Sequence, residues 1–241
     1  MNNQKQIINW WHNLSIAQQD YLLSKYKYMQ YGYIFGIRND EWFESLVSDN
    51  QIKIYEENIL NNKVNHYIAN TIYATDIFKW AESKTDTVFY NSSAEHAAIV
   101  HQALVKYSEK YIDIFSSSMY SEISNNSDYC QLIKTFLDRD NTHKINIIFT
   151  DYDEDFFQTN IASLLAKYPF QVTIKRYDGQ VMYKDRPVHF TVADDRAFRL
   201  ETDIEKHMAF GNFNSVNQAK ALKDTFDKIF QSKLVQNIPL C

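Results

Sequence analysis

The pattern of apolar and polar positions changes character twice along the chain. Over residues 5–60 the apolar positions recur at three- and four-residue steps, through Ile8, Trp11, Leu22 and Tyr26, then Trp42, Phe43, Leu46 and Val47. That spacing predicts amphipathic helices. Ser15 stands where a hydroxyl can cap the second helix, and Asn39 or Asp40 where a side chain can cap the next. Residues 1–63 therefore read as a helical N-terminal extension.

From residue 64 the texture becomes an alternation. Short β-branched or aromatic runs at 87–91, 111–118, 144–151 and 170–177 are separated by helical patterns at 94–109, 126–139 and 154–167, with a further helix at 66–83 ahead of the first run. KINIIFTD (144–151) is the clearest strand, a continuous apolar run suited to a sheet covered on both faces. Strands alternating with helices predict parallel connections. After the turn signal Asp178–Gly179 the order becomes strand-strand-strand (187–193, 197–202, 206–213). A long helix at 215–233 follows, with Ala219, Leu222, Phe226, Ile229 and Phe230 on one face. Residues 64–241 thus read as one α/β domain, a mainly parallel mixed sheet flanked by helices, with an antiparallel excursion before the last helix.

Composition narrows the classes. Hydrophobic residues at 45% and charged residues at 23% are ordinary for a globular chain. A net charge of −5 gives no electrostatic footprint for nucleic acid. Four glycines and three prolines argue against a Gly-rich phosphate loop. Cys130 and Cys241 form neither a metal pattern nor a disulfide framework and fit a reducing cytosol. The N-terminus lacks the basic-then-apolar order of a signal peptide, and no apolar run approaches a membrane span. The expectation is a cytoplasmic protein without membrane contact. Trp10, Trp11 and Trp42 either pack the extension onto the main domain or form a docking face for a protein partner.

Candidate chemistry concentrates in Pro187–Asn214. On an alternating strand His189 and Thr191 share a face, and on the next strand Arg199 and Glu201 do. His189, Arg199 and Glu201 form the candidate catalytic set; Thr191, Asp194, Asn212 and Asn214 are candidate ligand-binding residues. The simpler use of the same residues is structural: a satisfied histidine, an ion pair at a sheet corner, and Asp194–Asp195 as a turn. Asp151, Asp153, Glu154 and Asp155 are hard oxygen donors, but acids at a helix start are expected from its dipole and their spacing matches no known loop. Neither a metal nor a cofactor is expected. His66, His96, His101 and His207 read as surface or packing residues, and Ser116–Ser118 as too generic for a hydrolase assignment.

The element order, the strand Val188–Asp195, the turn Asn212–Phe213–Asn214 and the final helix together resemble the phospholipase D-like superfamily over about residues 85–241. In that family one strand carries His-x-Lys, an Asp follows after a gap of four, and an Asn precedes the last helix. The motif here is degenerate. Matching Asp194 to the family Asp puts His189 at the lysine position and Pro187 at the histidine position; matching His189 to the nucleophile puts Thr191 at the lysine and Arg196 at the aspartate. The resemblance implies a bacterial, non-catalytic domain that binds a protein partner, with nucleic acid left open, in a phage-defence or toxin-related setting. It also implies a homodimer, since members with one motif copy pair through it to bring a second imidazole. The competing expectation is an active nuclease or phosphodiesterase with an altered site around His189, Arg199 and Glu201.

Overall fold

In a computed structural model of the chain, the β-branched run Lys144–Phe149 is an inner strand, paired on both sides, of a sheet with nine strands among the described residues. The structure describes residues 2–29, 38–59, 63–119, 123–151 and 154–239. Two compact units divide the chain, residues 1–72 and 73–241. The expected boundary at 63/64 and this one both fall at or within a single helix, α5 (Lys63–Glu82).

The first unit contains α1 (Asn2–His12), α2 (Ile16–Tyr26), α3 (Asn39–Ser45) and α4 (Ser48–Ile59). Ser15 caps α2 through a reciprocal box with Gln18, as its position predicts. Asn39 and Asp40 do not cap α3. Asn39 donates to Asp20 and Asp40 accepts the Trp11 indole N–H, so tertiary partners take both side chains. Trp11 and Trp42 are wholly buried inside this unit, Trp11 stacked on Phe43 at 4.2 Å, while Trp10 is half-buried against Phe43 and Tyr55. A docking face through Trp11 and Trp42 is therefore corrected. Their indoles form the unit's own core, where the hydrophobic effect puts large aromatic area.

The second unit carries the sheet: β1 (Val88–Ser92), β2 (Tyr111–Ser116), β3 (Lys144–Phe149), β4 (Val172–Tyr177), β5 (Val181–Tyr183), β6 (Arg186–Ala193), β7 (Ala197–Asp203), β8 (Met208–Asn212) and β9 (Val235–Ile238). Strand order is β1-β8-β7-β6-β2-β3-β4-β9, with β5 paired to β6. The α/β class and the flanking helices are as expected. The parallel share is smaller: β2–β3 and β3–β4 are parallel, and the remaining described pairs are antiparallel. The hairpins β6–β7–β8 and the returning β9 account for that difference.

One face of the sheet is covered by α6 (Ala94–Lys106), α7 (Ser127–Arg139) and α8 (Asn160–Leu165), with Val100, Leu104, Ile133, Phe136 and Leu165 buried. The other face takes α9 (Val216–Phe230), whose Ala219 and Phe226 pack on Phe115, Phe190 and Phe198. Lys223 of α9 reaches Asp113, fully buried on β2, at 3.1 Å, and Asn146 donates to the same carboxylate at 2.9 Å. Burial raises the Asp113 pKa, an effect that the Asn146 and Lys223 interactions only partly offset. Asn126 caps α7 by accepting the Tyr129 backbone N–H at 2.8 Å.

Candidate active site

β6 runs antiparallel to both β2 and β7, which brings the N-terminal half of β6 beside the C-terminal ends of β2 and β3. In open α/β sheets that edge is where ligands collect. The β6–β7 ladder pairs His189 with Glu201 and Thr191 with Arg199. Residues directly opposite in a ladder share a face, so the four side chains form a two-by-two patch.

The patch is nearly out of water, with His189 8%, Thr191 3%, Arg199 3% and Glu201 6% exposed. His189 Nδ1 lies 3.2 Å from Glu201 Oε2. Because a carboxylate only accepts, Nδ1 carries the proton of this bond, and Nε2 is turned away from Glu201. Arg199 Nη2 donates to Glu201 Oε1 at 2.8 Å, and Arg199 Nε donates to Asn91 Oδ1 at 3.2 Å. His207 Nδ1 approaches Glu201 Oε1 at 3.5 Å. Asn91 Nδ2 donates to the His207 carbonyl, so one buried amide ties the arginine to the β7–β8 turn.

Burial alone would raise the Glu201 pKa, but the His189 hydrogen bond and the Arg199 charge outweigh it and hold the carboxyl at about 2. Glu201 is ionised across the physiological range. His101, projecting from α6 onto the same patch, is pushed down to about 3 by burial and then by Arg199. Its imidazole is neutral there.

A cavity of about 130 Å³ opens over this patch, walled by His101, His189, Thr191, Arg199, Glu201 and His207, with Ser116–Ser118, Ser124 and Tyr129 on the far side. A second cavity, about 380 Å³, shares Phe115, Ser117, His189 and Ile204 with the first and is lined beyond them by residues including Thr150, Asp151 and Gln180. His189 lines both.

Four of the seven residues singled out in the sequence thus meet: His189, Thr191, Arg199 and Glu201. The other three lie elsewhere. Asn212 pairs with Phe198, one residue out of phase with Arg199, so it faces the opposite side of the sheet. It donates to Asp86 at 2.8 Å and accepts the Asn214 N–H at 2.7 Å, which keeps Asn214 away as well. Asp194, at φ 53°, accepts backbone N–H bonds from Glu109, Lys110 and Tyr111, the shortest 2.8 Å. That locks the β6–β7 turn to the start of β2, at the far end of β6 from His189. His101 and His207 require correction too. They line the cavity instead of serving only as packing or surface residues, and Asn91 supports it unforeseen.

Of the acidic run after β3, Asp153 lies outside the described residues, as does Cys241. Among the described residues, no group of three or more His, Cys, Asp or Glu is placed to hold a metal ion. Nor is any helix among them long and apolar enough to cross a membrane.

No family model and no curated protein matches the chain. Solved structures do. Nuc from Salmonella typhimurium, a phospholipase D family member, aligns at TM-score 0.44 and 9% identity over 64% of this chain and 99% of that one. The arrangement of strands and helices is what is similar to Nuc. NucT from Helicobacter pylori aligns at TM-score 0.42 and 14% identity, covering 61% and 96%. TrmBL2, an archaeal chromatin protein, aligns at 0.47 and 15% identity, covering 88% and 80%. At such identities residue roles do not pass from one chain to another, and the geometry of the pocket has to carry them.

Proposed function

We propose that the protein is a phosphodiesterase with His189 as its nucleophile. The observation that carries this reading is the buried Glu201–His189 pair: Nδ1 is held by an ionised carboxylate, and Nε2 has no hydrogen-bond partner among the described residues on a cavity wall. A carboxylate behind an imidazole fixes its tautomer and its direction and stabilises the positive charge that develops as the far nitrogen attacks.

In the register that takes His189 as the nucleophile, the family's lysine falls at position 191, and here that residue is Thr191. The positive charge stands one strand away, on Arg199, directly across the ladder from Thr191 on the same face. Electrostatic stabilisation of phosphoryl oxygens needs a preorganised cation, not a particular strand. Arg199 is preorganised by Glu201 and Asn91.

The smaller cavity suits one phosphoryl group. The larger, carrying Asp151 beside Thr150 and Gln180, suits an ester group that brings hydrogen-bonding groups and no further negative charge. With a net charge of −5 on the whole chain, this favours a small phosphodiester over a nucleic-acid strand. The second reading is a non-catalytic pocket that grips an anionic group of a partner; the near-complete burial of Arg199 favours it.

Hydrolysis of bis(4-nitrophenyl) phosphate separates the two. The wild type is expected to release 4-nitrophenol, and His189→Ala, with its fold checked by circular dichroism, is expected to lose at least ~10³-fold in kcat. An unchanged rate in His189→Ala would sink this reading and leave the binding pocket.

A further inference from the structure

A phosphoryl group held by Arg199 alone is held from one side of its cavity. We infer that Tyr129, on the far side, binds the same group by donating its phenol O–H to a non-bridging phosphoryl oxygen. The inference rests on the phosphodiesterase reading and adds to it a neutral donor from α7, outside the β6–β7 ladder.

The fold delivers a phenol to this place. Tyr129 stands in the first turn of α7, where Asn126 accepts its backbone N–H at 2.8 Å and donates to the Ile123 carbonyl at 3.0 Å. The two bonds fix where the helix begins. The ring belongs to the core cluster of Ile114, Met119 and Ile133, and it meets the His101 ring edge to face at 6.2 Å and 84°. A tyrosine has two side-chain torsions, so a packed ring sets where its hydroxyl lies.

Only 1% of Tyr129 is exposed, yet among the described residues its hydroxyl has no hydrogen-bond partner. A tyrosine hydroxyl lodged in a core is ordinarily paired, because an unpaired one forfeits its bonds to water. Phenylalanine would fill the same space without that loss. What the hydroxyl can serve is the cavity that Tyr129 lines together with Arg199. Burial raises the phenol pKa, with a smaller push from Cys130, so the group keeps its hydrogen and stays a donor.

The surroundings of Tyr129 favour a neutral contact. Ser124 is buried on the same side of the cavity, Ser116 is committed to the Ser118 carbonyl at 3.1 Å, and His101 is held neutral by burial. Across the cavity, the Arg199 charge already meets Glu201 at 2.8 Å. A monoanionic phosphodiester suits that arrangement: one free oxygen takes the guanidinium, and the other takes an uncharged O–H.

Replacing one phosphoryl oxygen by sulfur, a poor hydrogen-bond acceptor, tests this. Tyr129→Phe removes the hydroxyl and keeps the ring. It is expected to lose roughly 10- to 10²-fold in kcat/KM on methyl 4-nitrophenyl phosphate, as for a hydrogen bond to a charged group. On the two enantiomers of the matching phosphorothioate the losses should part. The enantiomer that turns oxygen to Tyr129 should lose as much, and the one that turns sulfur to it less than ~3-fold. The melting temperature should hold, since no protein group loses a partner. An unchanged kcat/KM on the oxygen ester overturns the inference. So do equal losses on all three esters, or a melting temperature lower by more than about 2 °C, either of which makes the hydroxyl structural. Wild-type protein that cleaves none of the esters overturns the phosphodiesterase reading and the inference with it, a result distinct from every pattern in the variant.

Discussion

Glu201 is asked to stay ionised almost out of water while three basic side chains compete for its two oxygens, and the stability of the site follows from that contest. A carboxyl lowered from 4.5 to about 2 on folding stabilises the native state above pH 4.5, and that stabilisation is lost as pH falls from 4.5 toward 2. Glu201→Gln leaves the Arg199 charge buried without its counterion and is expected to cost about 3 kcal/mol at pH 7. It should also flatten the acid dependence. Urea midpoints measured from pH 6 to pH 2 check both; a variant whose midpoint falls as steeply as the wild type through pH 4.5–2 contradicts the assignment. Glu201, Arg199, His189 and Thr191 were legible in the sequence because period-two alternation within a strand fixes which residues share a face. Asn212 was not. Its face depends on the register between β7 and β8, which carries an irregularity at Glu201/Asp203 that no local pattern displays. His101 and His207 reach the pocket only through tertiary placement, on a helix and a turn, so spacing along the chain could not reveal them.

Among the elements, the long periodic helices and the buried strands were readable from pattern. Two short edge-side strands, β5 and β9, were not, because three or four residues of mixed polarity carry too little periodicity. What positions the patch is the close approach of β1, β8 and β7. Gly211 faces Arg199 across the β7–β8 ladder and Phe89 across β1–β8. A Cβ there would lie 2.3 Å from the Phe198 carbonyl oxygen and 2.4 Å from the Phe89 ring. The carbonyl is ladder backbone and yields little. Gly211→Ala is therefore expected to destabilise by about 2 kcal/mol, lowering the melting temperature by roughly 4–8 °C. Calorimetry reads this directly, and an unshifted melting temperature would mean that the strands separate more easily than this packing allows.

At the scale of the molecule, every residue of the pocket belongs to the unit of residues 73–241, while the N-terminal helices spend their tryptophans on a core of their own. A chain of net charge −5 with an acidic residue at the larger cavity is poorly suited to track a polyanion, and the proposed reading has it take a single phosphodiester between two small compartments. The degenerate motif had suggested a scaffold that outlived its chemistry. On the proposed reading the ladder puts a cation across from Thr191 and a carboxylate behind His189. The most direct measurement is mass spectrometry of the protein quenched with denaturant at alkaline pH, where an N–P bond to imidazole survives, during turnover of bis(4-nitrophenyl) phosphate. A phosphoryl ester adduct mapped to His189 is the predicted result, absent from His189→Ala; turnover with the adduct on another residue, or with none at all, would contradict it.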